Sequence, residues 1–420
     1  LWSTLLGTAC AAENPTLVGS NCLEPNNCVV QQQALLIDSV DILLVIDNSA
    51  SVAPKVKDLK AQLPRMLTAI TSGQDGAVSF PPARSVHVAV TTADMGVGTA
   101  DGSPFCSKLG GDGVFVKPGD VGVTCDVSYP GYLAFEGAGA PLSVADSVAC
   151  LPLVFPEKST TIHPPGAATP VDAITPVLTY GCGYEQPLEA ALKSLVPGDD
   201  PGVTFNAGHG HGDSENAGFL RDNSLLIVVV ITDEDDCSAA DDSIFNTRQQ
   251  GGEYSTEPVN LRCFLHQDKL QASQRYIENL KNLRPHNDNV IFSVIGGVPV
   301  NLVSDDFRAG YDFSVPAGAD KYFADVLANS AMQQAPAPGF EGDSAVLGHL
   351  SSSCTLSADD VDPEGNDQGA QPPRRLVEVA RGFGAQGILG SICARDFGAT
   401  TGQIIRAVGE KLGARAKSAN

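Results

Sequence analysis

The segment Val40 to Val52, "VDILLVIDNSASV", constrains this chain more than any other. Its apolar run is too continuous for a half-exposed strand and too short for a core helix. It reads as a strand buried on both faces, which in a globular protein belongs in a parallel sheet. The run breaks into Asp47, Asn48, Ser49, Ala50 and Ser51. A second run, "LLIVVVI" from Leu225 to Ile231, breaks in the same way into Thr232, Asp233, Glu234, Asp235 and Asp236. A carboxylate at the end of a buried strand is costly unless it is solvated, hydrogen-bonded or bound to a cation.

Further elements follow by pattern. Strands are expected at Asp41 to Ile46, Ser85 to Thr92, Leu225 to Ile231, Asn289 to Gly297 and Gln386 to Ile392. Helical spacing marks Ala53 to Ile70, with Pro54 suiting its start and Pro64 implying a kink. Further helices are expected over Glu185 to Leu195, Gln267 to Leu283, Arg374 to Phe383 and Thr401 to Leu412. Strands alternating with helices predict an α/β fold, a doubly wound and mostly parallel sheet covered on both faces. Two stretches rich in Gly and Pro, about 97–179 and 299–373, interrupt the alternation and read as large cysteine-containing insertions. The domain then spans residues 39–415, behind a polar tether at 11–38.

The net charge is −23, from 49 acidic and 26 basic residues, which repels phosphate backbones and argues against nucleic acid. Cations are the natural small ligands, although an acidic surface also serves solubility alone. The 11 cysteines are scattered, without zinc-finger spacing, and suggest disulfides in an oxidising compartment. Cys22–Cys28, Cys237–Cys263 and Cys354–Cys393 are the expected pairs. The stretch "LLGTAC" resembles a bacterial lipobox with Gly7 where Leu is usual. Lipidation of Cys10 would place residues 1–10 in a signal-peptide remnant and leave an even number of cysteines to pair. An ordinary signal peptide cleaved nearby is the alternative.

Asp47, Ser49 and Ser51 alternate, so their oxygens can turn to one side of the loop, and Asp233 can approach from a neighbouring strand. Oxygen ligands of this kind suit Mg²⁺, Ca²⁺ or Mn²⁺. Here the chain resembles the von Willebrand factor type A (VWA) family. That family carries D-x-S-x-S after its first strand, matched by Asp47, Ser49 and Ser51, and an Asp after its fourth, matched by Asp233 within Thr232-Asp233-Glu234. The phrases "VDILLVIDNSAS", "VTTADMG", "GCGYEQPLEAAL" and "ITDEDDCS" also resemble lipoproteins of myxobacteria and their relatives. The resemblance covers roughly Val40 to Leu412 outside the two insertions.

It implies a Rossmann-like VWA fold and a metal-ion-dependent adhesion site. The ion at such a site keeps one position open for an acidic residue of a protein partner. The family also supplies a Thr from the loop before its third helix, and none stands in the matching slot, Cys182 to Glu185. Glu185 is the expected substitute, opening the helix and bringing a third acid to the cation; Thr179 is less favoured. The expectation is therefore a non-enzymatic lipoprotein of the outer membrane or cell surface, held to the membrane by its lipid alone. A structural envelope protein with a vestigial metal site is the alternative. A metal-dependent hydrolase is a further one, with Asp235 as a base, though the chain carries no G-x-S-x-G and no H-E-x-x-H. Asp94, the histidines of "GHGHGD" and the acids Glu234 to Asp236 are secondary candidates. Each reads more readily as a solvated turn or a flexible loop.

Overall fold

The computed structural model describes residues 21–22, 28–29, 37–49, 51–100, 106–117, 131–136, 151, 182–246, 254, 257–338, 348–356 and 369–418. Its centre is a six-stranded sheet built from β1 (Ser39–Ile46), β2 (Ser85–Thr92), β3 (Tyr132–Glu136), β4 (Leu225–Ile231), β5 (Val290–Gly296) and β6 (Gly387–Ser391). The spatial order is β6-β5-β4-β1-β2-β3, parallel throughout except for the antiparallel edge strand β3. Among the described residues, six helices of eight or more residues accompany it: α1 (Ala53–Ser72), α2 (Pro187–Leu195), α3 (Ser273–Asn282), α4 (Pro316–Ala328), α5 (Arg374–Gly382) and α6 (Gly398–Ser418).

The alternation of side chains along β1 explains the layering. Val40, Ile42, Leu44 and Ile46 enter one core with Leu59, Leu63, Leu67 and Ile70 of α1 and Ile404, Ile405 and Val408 of α6. Leu43 and Val45 enter the other, with Leu188 and Leu192 of α2, Tyr276 and Leu280 of α3 and Leu376 and Ala380 of α5. Each fully buried aliphatic side chain contributes about 1.5–3 kcal/mol, so a central strand apolar on both faces holds the two helical layers to one sheet.

Register sets the stage for the site. Ile46 lies level with Thr92 on β2 and with Ile231 on β4. Backbone bonding runs one step past the strand ends, from Asp47 N to Ile231 O (2.9 Å), Ala93 N to Ile46 O (3.0 Å) and Thr232 N to Ile295 O (3.1 Å). The chain moves outward from β1 to β2 and β3, then crosses to β4 on the other flank of β1. Strand order therefore reverses between β1 and β4, where open α/β sheets form their ligand crevice.

Several expectations change. Helix α1 runs on through Pro64 to Ser72. Helix α2 begins at Pro187, because a proline keeps the residue before it out of helical geometry; Gln186 has φ −122° and ψ 52°. Glu185 therefore precedes the helix instead of opening it. The stretch 267–283 is a short 3₁₀ turn at Gln267–Lys269 followed by α3. The first irregular stretch supplies the edge strand β3, and the second supplies α4 with short helices at Val300–Val303 and Asp305–Arg308. Cysteines stand at disulfide distance in Cys237–Cys263 and Cys354–Cys393, with Cα atoms 5.5 and 6.1 Å apart. A third pair, Cys106–Cys182, is at 4.5 Å. Backbone pairing sets Cys22 opposite Cys28. Cys10 and Thr179 lie outside the described residues. Among the described residues no helix is long and apolar enough to cross a membrane.

Candidate functional site

Three loops meet beyond the level ends of β1, β2 and β4. The first is Asp47 to Ser51. Asp47 is fully buried; its Oδ1 accepts from Ser49 N at 2.7 Å and its Oδ2 from the Thr232 hydroxyl at 2.8 Å. The hydroxyls of Ser49 and Ser51 lie 2.8 Å apart, so the alternate residues do turn to one side. The second loop follows β4. Thr232 Oγ1 accepts from Glu234 N at 3.0 Å, and the turn presents Asp233 beside Asp47. The Asp233 carboxyl lies close enough to Asp47 and Ser51 for both to act on its ionisation.

The third loop, Cys182 to Gln186, is fixed from both sides. Gln186 N donates to Ala93 O at 2.8 Å, Cys237 N donates to Glu185 O at 2.7 Å, and Asp94 pairs with Glu185 in an isolated antiparallel bridge. The Cys106–Cys182 and Cys237–Cys263 pairs hold two of these loops to neighbouring segments. The structure thus gathers Asp47, Ser49, Ser51, Asp233 and Glu185. It adds Asp94, which is buried and accepts from Gly96 N at 2.8 Å, and Glu234.

The electrostatics are one-sided. Burial pushes the Asp47 carboxyl up, against the hydrogen bonds from Ser49 and Thr232. Asp233 is pushed up to about 8, by burial first and by Asp47 second. Glu185 is raised well above the carboxylate range by burial, then by Asp47, Glu234, Asp94 and Asp233. Glu234 follows for the same reason, through Asp233 and Asp47. Acids this close cannot all ionise without a countercharge. Several buried polar atoms also have no hydrogen-bond partner: Asp233 Oδ1, both Glu185 carboxyl oxygens, Thr92 Oγ1 and both side-chain heteroatoms of Asn48.

Such oxygens fit a hard cation. The donors at hand are two carboxylates, Asp47 and Asp233, with the hydroxyls of Ser49 and Ser51. Among the described residues no three His, Cys, Asp or Glu side chains are arranged to hold one ion. Glu185 is held in place through its backbone, by the bridge to Asp94 and the bond from Cys237 N, and its carboxyl is pushed up by burial and by the charges of Asp47 and Asp233.

The remaining acids have other work. Asp235 accepts from Arg375 N at 3.1 Å and Leu376 N at 3.4 Å, and so caps α5; it also accepts from Gln334 at 2.7 Å. Asp236 accepts from Leu188 N at the start of α2 (3.1 Å) and pairs with the Arg375 guanidinium at 3.1 Å. Neither is the solvated loop that a charge run suggests, since buried helix starts favour a carboxylate. His211 has both ring nitrogens engaged, by Glu215 at 2.7 Å and Asp112 at 3.0 Å, which leaves none free for a metal. Sequence reasoning set Asp94 aside as a solvated turn and missed Asn48. The signal available was that Asp94 also follows directly on a buried strand end. The sequence matches no protein-family model and no curated protein.

Proposed function

We propose that the chain is a VWA-type binding protein that takes up a divalent cation, Mg²⁺, Mn²⁺ or Ca²⁺, and uses it to engage an acidic residue of a protein partner. One observation carries the reading. Asp47, Ser49 and Ser51 face Asp233 at the crevice where strand order reverses, among buried oxygens without partners. Asp47 and Asp233 would hold the ion and the two serine hydroxyls would complete the inner face. A bound cation supplies an incompletely neutralised charge that attracts an outside carboxylate. Thr232 and Ser49 N orient Asp47, and the cysteine pairs limit how far the loops can spread. Paired cysteines favour an exported setting, consistent with a lipoprotein on the cell surface.

The test is thermal unfolding of the purified chain with Mg²⁺, Mn²⁺ or Ca²⁺ against EDTA. A ligand at 100 times its Kd stabilises the native state by about 2.7 kcal/mol. The expected result is a rise in Tm that Asp47→Ala abolishes. A native Tm that no divalent cation moves overturns the reading.

A further inference from the structure

A cleft opens beside the second and third loops, and Asp47 is not among the residues that line it. Its walls include Tyr184, Phe264, Gln334 and Gln371, and Glu185 and Glu234 border it. Two further acids at its edge are already neutralised or bonded: Asp236 by the Arg375 guanidinium, and Asp235 by Gln334 and the start of α5. Glu185 differs. It is 1% exposed, and neither carboxyl oxygen has a hydrogen-bond partner. Glu234 keeps one oxygen on the Gln371 amide at 3.1 Å. The lining of the cleft therefore combines uncompensated acid with the side-chain amides of Gln334 and Gln371 and the rings of Tyr184 and Phe264.

We propose that this cleft receives a basic side chain, lysine or arginine, from the same protein partner whose acidic residue meets the cation. The inference rests on the function proposed above and names the second half of the recognition. Charge complementarity selects the occupant. An anion would meet Glu185 and Glu234, whereas an aliphatic side chain would leave the Glu185 oxygens unpartnered, which is costly for a buried polar group. A lysine or arginine stem can lie along Tyr184 and Phe264 while its charged head reaches the acids. Two anchors of opposite sign, one at the ion and one in the cleft, fix the direction in which a peptide segment lies.

Selection of random linear peptides on the full chain, in Mg²⁺ and in EDTA, tests this. Expected is enrichment of Asp or Glu together with Lys or Arg at a constant spacing. A selected peptide should lose about tenfold in affinity when norleucine replaces its basic residue, the scale of a charge-assisted hydrogen bond. Two variants locate the effect. Gly183→Trp fills the cleft from an exposed position where an added Cβ meets nothing within 4 Å. Phe264→Ala removes aromatic surface along which the basic stem would lie and leaves the acids at the ion untouched. In both, the basic preference should fall and the acidic one should stay. A basic preference that is absent, or that survives both variants, overturns the cleft assignment even if Mg²⁺-dependent acidic selection remains. A basic preference that persists in EDTA and is lost in the variants supports the cleft and overturns the cation reading. Selection of neither charge overturns both.

Discussion

Two buried aspartates six residues apart mark the two ends of β1, Asp41 near its start and Asp47 just beyond its last residue, and both are 0% exposed. Their surroundings differ completely. Asp41 receives Arg221 through its backbone N (2.9 Å) and its guanidinium, and also the Ser224 hydroxyl. The Arg284 guanidinium stands 3.7 Å away. Asp47 receives a backbone N–H and a hydroxyl, and the charges nearest to it are acidic. A buried carboxylate needs compensation wherever it sits. At one end the fold supplies fixed guanidinium groups; at the other it supplies more carboxyls and unpartnered oxygens. The first end is a finished structural pair, and the second has the composition of a site that takes its positive charge from outside.

The largest expected effect comes from the matched substitutions Asp41→Asn and Asp47→Asn. Removing the Asp41 charge strands Arg221 and the buried Arg284. Breaking a buried pair from one side costs about 3–5 kcal/mol. Asp47→Asn keeps an oxygen for Ser49 N and removes a charge from an acid cluster, so in EDTA it should leave stability unchanged or raise it. Urea denaturation in EDTA checks both. Equal losses at the two ends would mean that Asp47 is a structural aspartate after all.

Adding a cation should reverse that order at the second end. In saturating Mg²⁺ the native chain should gain stability and Asp47→Asn should not. The difference grows with free ion as mass action requires, to about 2.7 kcal/mol at 100 times Kd. Isothermal titration of the two proteins is the direct measurement. Identical heats would break the contrast between the two ends.

Glu185→Thr sharpens the comparison by removing an acid that the first end has no counterpart for. It should raise stability in EDTA, because Glu185 is held against four other acids. It should also weaken cation binding, by about 1–2 kcal/mol, the interaction of two unit charges about 8–16 Å apart at an effective dielectric of about 20. A less neutralised ion should then bind an acidic peptide more tightly. Competition between Mg²⁺ and the peptide, measured in native and variant chains, reads both changes. Unaltered Mg²⁺ affinity would confine Glu185 to the cleft.

The two ends were not equally legible in the sequence. The run Val40 to Ile46 announces a buried strand, and β2, β4, β5 and β6 follow within a residue or two, because apolar runs bounded by polar turns are local signals. Asp47, Ser49, Ser51 and Asp233 stand out since they interrupt such runs. The pairing of Asp41 with Arg221 and Arg284 was invisible, because it joins residues about 180 and 240 positions apart, and only the register of β1 with β4 brings them together. Edge strand β3 was missed since "YLAFE" is short and set among glycines and prolines. Helix α4 was missed because Pro316 and Gly318 stand in its first turn and it sits in a stretch rich in loop residues. Asp235 and Asp236 looked like a solvated run because sequence shows no helix start from elsewhere in the chain.

A third acid group separates fixed from switchable compensation. Asp112 and Glu215 flank His211, whose side chain is 8% exposed. The hydrogen bond to Asp112 raises the imidazole above its ordinary value of 6.5; burial opposes this and Glu215 adds to the rise. Glu215 is lowered from 4.5 to about 2, by the Ser214 hydroxyl first and by His211 second. The imidazole's contribution to stability is fully present below pH 6.5 and is lost as pH rises through the raised native value. That of Glu215 is present above pH 4.5 and is lost as pH falls toward about 2. Between pH 4.5 and 6.5 both act, so this group resembles Asp41 with its guanidiniums. Above that window its positive charge is withdrawn, and the fold must tolerate Asp112 beside Lys193 alone, at 2.5 Å. His211→Gln should therefore flatten the loss of stability with rising pH above 6.5 while leaving Asp41-dependent stability untouched. The effect should be the smallest of the four, since Glu215 is half exposed and solvent screens its pair. Urea midpoints across pH, in EDTA, compare the two chains; curves that stay parallel above pH 6.5 would show that His211 carries no charge in the native protein.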